Sequence, residues 1–308
     1  MTIQPPQPTR PPTETGSETS SPPPSLADLL TLERIGEGAF RSGRHPGRGP
    51  RMFGGELAGQ ALVAAGRTAP ADRPVHSAHA YFLRAGDPDT PVEFEVRPVR
   101  DGGSFSLRQV TARQHGRAVF ELVASFHRLE SGPAHQVPKL RAPDPESLPS
   151  APANLEGATP AERAWLNRIR VERNMDFRFP ESLPPFSLPE RGESTRQRTW
   201  MRTVSALPPL AEDPVLHAGA VMYVSDLLLL PTALGPHGSA FAHTDTMLAS
   251  LDHAVWFHAG YPMDGWVLYE QESAWADAGR ALCTGRMLGQ DGRLVASVAQ
   301  EGLVRLRS

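Results

Sequence analysis

One cysteine in 308 residues can close no internal disulfide and build no cysteine-based zinc site, so a reducing, cytoplasmic setting is the expectation. That residue, Cys283, lies in the apolar stretch Ala281-Leu282-Cys283 and reads as a small buried hydrophobe rather than a nucleophile. An excess of either charge is also missing, since 31 basic and 34 acidic residues leave a formal charge of -3. Such a chain has no long-range field to attract nucleic acid or an anionic membrane, and neither is an expected partner.

No uninterrupted apolar run reaches the roughly 18 residues that span a bilayer. The longest candidate, Val221 to Leu234, is broken by Ser225, Asp226 and Pro231, and a soluble chain is expected. The final Leu306-Arg307-Ser308 departs from the peroxisomal Ser-Lys-Leu pattern. Three chemical signatures are absent as well: the Gly-x-Ser-x-Gly elbow of serine nucleophiles, the metal-binding His-Glu-x-x-His, and the phosphate loop Gly-x-x-x-x-Gly-Lys-Ser/Thr. No metal or cofactor is expected, and water activated by a carboxylate is the common enzyme plan that survives.

What remains is 39% hydrophobic, enough for one large core or two medium ones. Residues 1–24, rich in Pro, Ser and Thr, are expected to form a disordered tail that is neither signal peptide nor membrane anchor. Order begins where Ser25 can cap a short helix. Phe53-Gly54-Gly55-Glu56 then precedes an Ala- and Gly-rich helix, Leu57 to Thr68, whose small residues suit it to lie buried against a sheet. Strands are predicted at Ser77 to Leu83, Val92 to Val99, Ser104 to Arg113 and Ala118 to His127, several with period-two alternation. One helix with a run of antiparallel strands defines an α+β class. Residues 25–130 make this first unit, and residues 131–173 a connector with one helix opening at Pro160-Ala161-Glu162. Residues 174–308 repeat the pattern, with an apolar helix from about Pro214 to Leu234.

Two matches argue for tandem duplication. Gln114-His115-Gly116-Arg117 corresponds to Gln290-Asp291-Gly292-Arg293, 176 residues later, each a polar turn between apolar strands. His79-Ala80-Tyr81-Phe82 corresponds to His253-Ala254-Val255-Trp256, 174 residues later, and an Ala-Gly pair follows each.

Within Met222 to Leu230, Asp226 is a carboxylate among apolar residues and must either find hydrogen-bond donors or lie on an exposed stripe. Gln300 shares the face of Leu294, Ala296 and Val298, which reads as the core face, while its counterpart by the 176-residue offset is Ala124. A buried amide left unpaired costs about 1 to 3 kcal/mol. Ser250, set against His76 by the other offset, is by itself an ordinary strand-edge hydroxyl. Asp252 and His253 are adjacent on a strand and point to opposite faces, so they cannot share one substrate, and His253 reads as structural.

Several stretches together resemble the TesB-like acyl-CoA thioesterases II: Phe53-Gly54-Gly55, Gly59-Gln60-Ala61-Leu62, His76-Ser77, Tyr81-Phe82-Leu83-Arg84, Ser225-Asp226-Leu227, Leu251-Asp252-His253, Trp256-Phe257-His258 and Val298-Ala299-Gln300-Glu301-Gly302. The resemblance runs from Leu29 to Val304 apart from the connector. It implies tandem hot-dog units (a double hot-dog), each an antiparallel sheet wrapped on a central helix, and hydrolysis of fatty acyl-CoA. It also implies that Asp226, Ser250 and Gln300 hold the attacking water, without a covalent intermediate. Acyl-CoA is the implied substrate, and a homodimer or larger homo-oligomer the implied assembly. Two departures stand out: Glu56 where the family commonly has Gln, and Ser250 where it commonly has Thr. The competing readings are an acyl-CoA binding module without turnover, and a hot-dog hydratase, for which Gly86-Asp87-Pro88-Asp89 lacks the expected Asn-Pro and His.

Overall fold

Ser25 opens the ordered chain by a reciprocal cap: its hydroxyl accepts the Asp28 amide at 3.1 Å and the Asp28 carboxylate accepts the Ser25 amide at 3.0 Å. This starts α1 (Leu26–Leu30), whose Leu26, Leu29 and Leu30 are fully buried. The computed structural model describes residues 24–44, 51–138, 141–150, 163, 170–171, 173–181, 194–237 and 246–306. The predicted tail up to residue 23, residues 151–162 of the connector and most of its helix lie outside them.

Among the described residues, thirteen antiparallel strands form one sheet. In the first half these are β1 (Leu32–Gly36), β2 (Ala39–Ser42), β3 (Val75–Phe82), β4 (Glu93–Asp101), β5 (Phe105–Gln114) and β6 (Arg117–His127). The second half has β7 (Met175–Arg178), β8 (Arg196–Thr203), β9 (Thr246–Ser250), β10 (Asp252–Phe257), β11 (Val267–Asp277), β12 (Arg280–Gly289) and β13 (Leu294–Leu306). The order β1-β2-β4-β5-β6-β3-β10-β13-β12-β11-β8-β7, with β9 paired to β13 off this path, reads as one series of strands followed by its repeat in reverse. Positive φ at His115 (50°) and Gly116 (72°) gives the β5–β6 hairpin the primed turn that strand twist favours.

Two helices fill the inner side. The first, α2 (Gly54–Gly66), is buried from Gly55 to Ala65, and the second, α3 (Pro214–Ser225), packs antiparallel to it. Their contact is close because a Cβ on Gly59 would stand 2.8 Å from the Gly219 carbonyl oxygen, a space only glycine leaves open. The two half-sheets join where β3 meets β10, with Ala80 opposite His253 and His79 opposite Ala254.

Three expectations change. The apolar helix predicted from Pro214 to Leu234 ends at Ser225; Leu228 adopts φ 60° and a 3-10 segment, Leu230–His237, follows. By overall composition Pro214–His237 is long and apolar enough to cross a membrane, but 83% of its most apolar window is buried within the fold. The pairing of His79 with His253 is also one residue out of register. His79 faces outward, edge-on to Trp256 at 5.2 Å, whereas His253 is fully buried. Ala78 pairs with Ala124 as His253 lies opposite Gln300, so the structural counterpart of His253 is Ala78. Likewise Val75 pairs with Phe126 as Ser250 pairs with Gly302, making Val75, not His76, the counterpart of Ser250.

Candidate active site

The site forms where α3 stops. Its last carbonyls are taken by side chains from the sheet: Tyr269 donates to Ser225 O at 2.7 Å, Gln271 to Leu227 O at 3.0 Å and Gln197 to Leu228 O at 2.6 Å. These donors meet backbone groups that the helix no longer pairs, and the Thr232 hydroxyl adds a second donor to Leu228 O at 3.2 Å. Burial pushes the Tyr269 phenol well above its ordinary range, which keeps it a neutral donor.

Asp226 is the C-cap of α3 and only 9% exposed. A carboxylate at the negative end of a helix gains nothing from the backbone and depends on side-chain donors. Gln300 Nε2 donates to Asp226 Oδ1 at 2.8 Å and to Ser250 Oγ at 2.6 Å, while the Ser250 hydroxyl donates to the same Oδ1 at 3.3 Å. Thus the three residues singled out in the sequence, from the end of α3, the end of β9 and the middle of β13, converge on one oxygen atom. The buried alternative for Asp226 holds, and the exposed stripe does not.

The other carboxylate oxygen faces the first unit. A Cβ on Gly54 would lie 2.9 Å from Asp226 Oδ2 and 2.9 Å from Phe82 Cε1, so the start of α2 touches the site. Phe53, the N-cap of α2, supplies no side-chain cap, which leaves the first amides of this helix available to an incoming group. Asp252 and His253 do diverge: Asp252 Oδ1 accepts the Glu301 amide at 2.7 Å, and His253 Nε2 lies 2.7 Å from Ser225 Oγ inside the core. Burial pushes the His253 imidazole below its ordinary range, and Asp226, Gln300 and Asp252 only partly offset this. Cys283, directly opposite Gln300 across the strands, is fully buried and its thiol is pushed up to about 11 by burial, so it is no nucleophile at neutral pH.

Gln197, Gln271 and Tyr269 escaped the sequence reading. The signal for the two glutamines was available, since both are polar residues on core-facing strand positions, the same anomaly that exposed Gln300.

Comparison with known proteins agrees with this architecture. Residues 41–127 match the acyl-CoA thioesterase N-terminal domain and residues 144–304 the acyl-CoA thioesterase C-terminal domain. Human acyl-coenzyme A thioesterase 8 is 39% identical over 295 residues, covering 92% of this chain and 89% of that protein. Acyl-CoA thioesterase 2 of Haemophilus influenzae is 34% identical over 285 residues, 91% of this chain and 97% of that one. The crystal structure of acyl-CoA thioesterase II TesB2 from Mycobacterium marinum superposes with a TM-score of 0.72 at 39% identity, over 92% of this chain and 98% of that chain. A hot-dog protein from Alicyclobacillus acidocaldarius, 19% identical with a TM-score of 0.71 over 92% of this chain and 98% of its own, shares the fold. The chain belongs to the TesB-like acyl-CoA thioesterase II family of thioester hydrolases, and its fold is the double hot-dog.

Proposed function

We propose that this protein hydrolyses acyl-CoA to a free fatty acid and CoA, using a water molecule held by Asp226, Ser250 and Gln300. The observation that carries the reading is the convergence of Ser250 and Gln300 on Asp226 Oδ1, at 3.3 and 2.8 Å, deep in the fold. Asp226 takes a proton from water as the water oxygen bonds to the thioester carbon, and the hydroxyl and amide orient the attack. The carbonyl oxygen becomes an oxyanion, for which the amides at the start of α2, beside Asp226 and without a side-chain cap, are suitable donors. When the tetrahedral species collapses, the C–S bond breaks and the CoA thiolate leaves with its electron pair. The proton held by Asp226 neutralises the thiolate, so no bond to the enzyme forms.

Thiol release from acyl-CoA substrates of increasing chain length, followed with a thiol-reactive dye, tests this on wild type and Asp226→Asn together. Buried Cys283 keeps the enzyme itself silent to the dye. The expected loss in Asp226→Asn is about 10²- to 10⁴-fold, the usual contribution of a positioned general base. Full activity in the variant would remove Asp226 from the mechanism. Tight acyl-CoA binding with no release by wild type would instead make the protein a binding module.

A further inference from the structure

Asp226 settles which way the Gln300 amide must face. A carboxylate only accepts hydrogen bonds, so the nitrogen of Gln300 points at Asp226 and its oxygen at the opposite side. That oxygen, Gln300 Oε1, is buried and has no hydrogen-bond partner among the described residues. One other buried atom in this part of the core is in the same condition, Nδ1 of His253. The two residues are cross-strand neighbours: one step along each strand from the Ala254–Ala299 pair of β10 and β13 sets His253 opposite Gln300. Both are fully buried on the same face of the sheet.

We propose that His253 is a positioning residue whose Nδ1–H donates to Gln300 Oε1, locking the amide with its nitrogen toward Asp226 and Ser250. The proposal rests on the reading of those three residues as the water-holding set. The proton count closes with a neutral imidazole. Protonated at Nδ1, the ring has a bare Nε2 that accepts the Ser225 hydroxyl at 2.7 Å. Ser225 Oγ also lies 2.9 Å from Met222 O, but its single proton serves one acceptor at a time. The other tautomer would donate Nε2–H to Ser225 Oγ, itself a donor to Met222 O, but would set the Nδ1 lone pair against the Oε1 lone pairs and leave both buried atoms without a donor.

The first unit supports the assignment. At the positions of His253 and Gln300 it has Ala78 and Ala124, paired with each other and fully buried. A histidine needed only to fill or tie the core would have no reason to appear together with the glutamine. Here both appear, in the half that also carries Asp226 and Ser250.

Two readouts test the proposal on the full-length protein. In histidine-¹⁵N NMR spectra, the signal that disappears in His253→Asn should report a protonated Nδ1 and a bare Nε2; an Nε2–H tautomer overturns the proposal. In kinetics, His253→Asn, which keeps a donor near Nδ1, should stay within about threefold of wild-type kcat. His253→Gln, which keeps one only near Nε2, should fall by roughly tenfold or more at unchanged KM, the scale of one lost hydrogen bond to a reacting group. Equal rates in the two variants also overturn it. Adding His253→Ala to Gln300→Ala restores the Ala–Ala pair of the first unit, and should fold normally and cost no further rate. Because the tautomer is read without turnover, an Nε2–H result beside an inactive Asp226→Asn rejects this inference alone, and an active Asp226→Asn rejects the water-holding set alone.

Discussion

At one end of the α2–α3 pair, the residue that closes α3 is Asp226, beside the uncapped start of α2 at Gly54. At the other end, the residue that closes α2 is Arg67, beside the start of α3, and there the N-cap Asp213 is present. Asp213 accepts the Leu216 amide at 2.9 Å and is clasped by Arg67 through contacts of 2.9 and 2.5 Å. The pseudo-symmetric plan thus yields one end that is sealed by an ion pair and one where a buried carboxylate stands beside a helix start without a side-chain cap. The sheet repeats the contrast: Gln300, Ser250 and His253 stand where the first unit has Ala124, Val75 and Ala78. A duplicated fold allows one copy to keep apolar residues at these three positions while the other carries buried polar groups there, each of which costs about 1 to 3 kcal/mol if left unpaired.

The comparison is broken most severely by making the Asp226 end resemble the first unit. Gln300→Ala copies Ala124 and removes the donor shared by Asp226 and Ser250; kcat for acyl-CoA hydrolysis should drop about 10²-fold or more with KM little changed. Thermal unfolding should show the variant folded, because the first unit already accommodates alanine at the equivalent position. Gly54→Ala comes next. Its methyl would stand 2.9 Å from both Asp226 Oδ2 and Phe82, so carboxylate or helix must shift, and displacements of this kind cost up to about 10²-fold in rate. A stability measurement separates this from misfolding, since alanine at a helical position is intrinsically favoured over glycine by roughly 1 kcal/mol.

How much of this contrast could be read from the chain depends on the kind of signal. Strands β3 to β6 were legible because alternation survives without knowledge of neighbours, and Asp226 and Gln300 because a polar residue on a core face is anomalous wherever it stands. The end of α3 was not, since nothing in Ser225, or in the left-handed Leu228 three residues on, marks the break; the carbonyls freed there are met by Gln197 and Gln271 from β8 and β11. Gly54 was noticed only as part of a motif, because its function is the space it leaves beside a residue far along the chain. The counterpart of Ser250 was misassigned for a geometric reason. The match of His79 with His253 set the offset one residue short; the shift of the β3–β6 ladder between Val75 and Ser77 recurs between Ser250 and Ala254, and a slip of one exchanges the faces of a strand.

At the sealed end the expected effects fall on stability and leave catalysis alone. Asp213→Ala removes both the cap and the partner of Arg67, for which about 1 to 2 kcal/mol is the expected cost, or a few degrees in Tm, with kcat within about twofold of wild type. A large loss of rate in this variant would mean that the two ends are coupled through the helices and that the contrast drawn between them is too sharp.

The smallest effect is a change in pH dependence. Burial pushes the Asp213 carboxyl upward, but the Arg67 guanidinium and the Leu216 amide outweigh it and hold the group below its ordinary value. The unfolded chain therefore binds a proton at a higher pH than the folded one does. The stabilisation is complete above the unfolded value of about 3.9 and is lost as pH falls through the folded value. Asp213→Asn keeps a capping oxygen and cannot titrate, so its unfolding free energy should be lower than that of wild type near neutrality and converge with it in acid. Arg67 is 42% exposed, and solvent screening keeps the difference to a fraction of a kcal/mol. Parallel rather than converging curves for the two proteins would show that Asp213 acts as a cap alone, and that the seal owes nothing to the charge of Arg67.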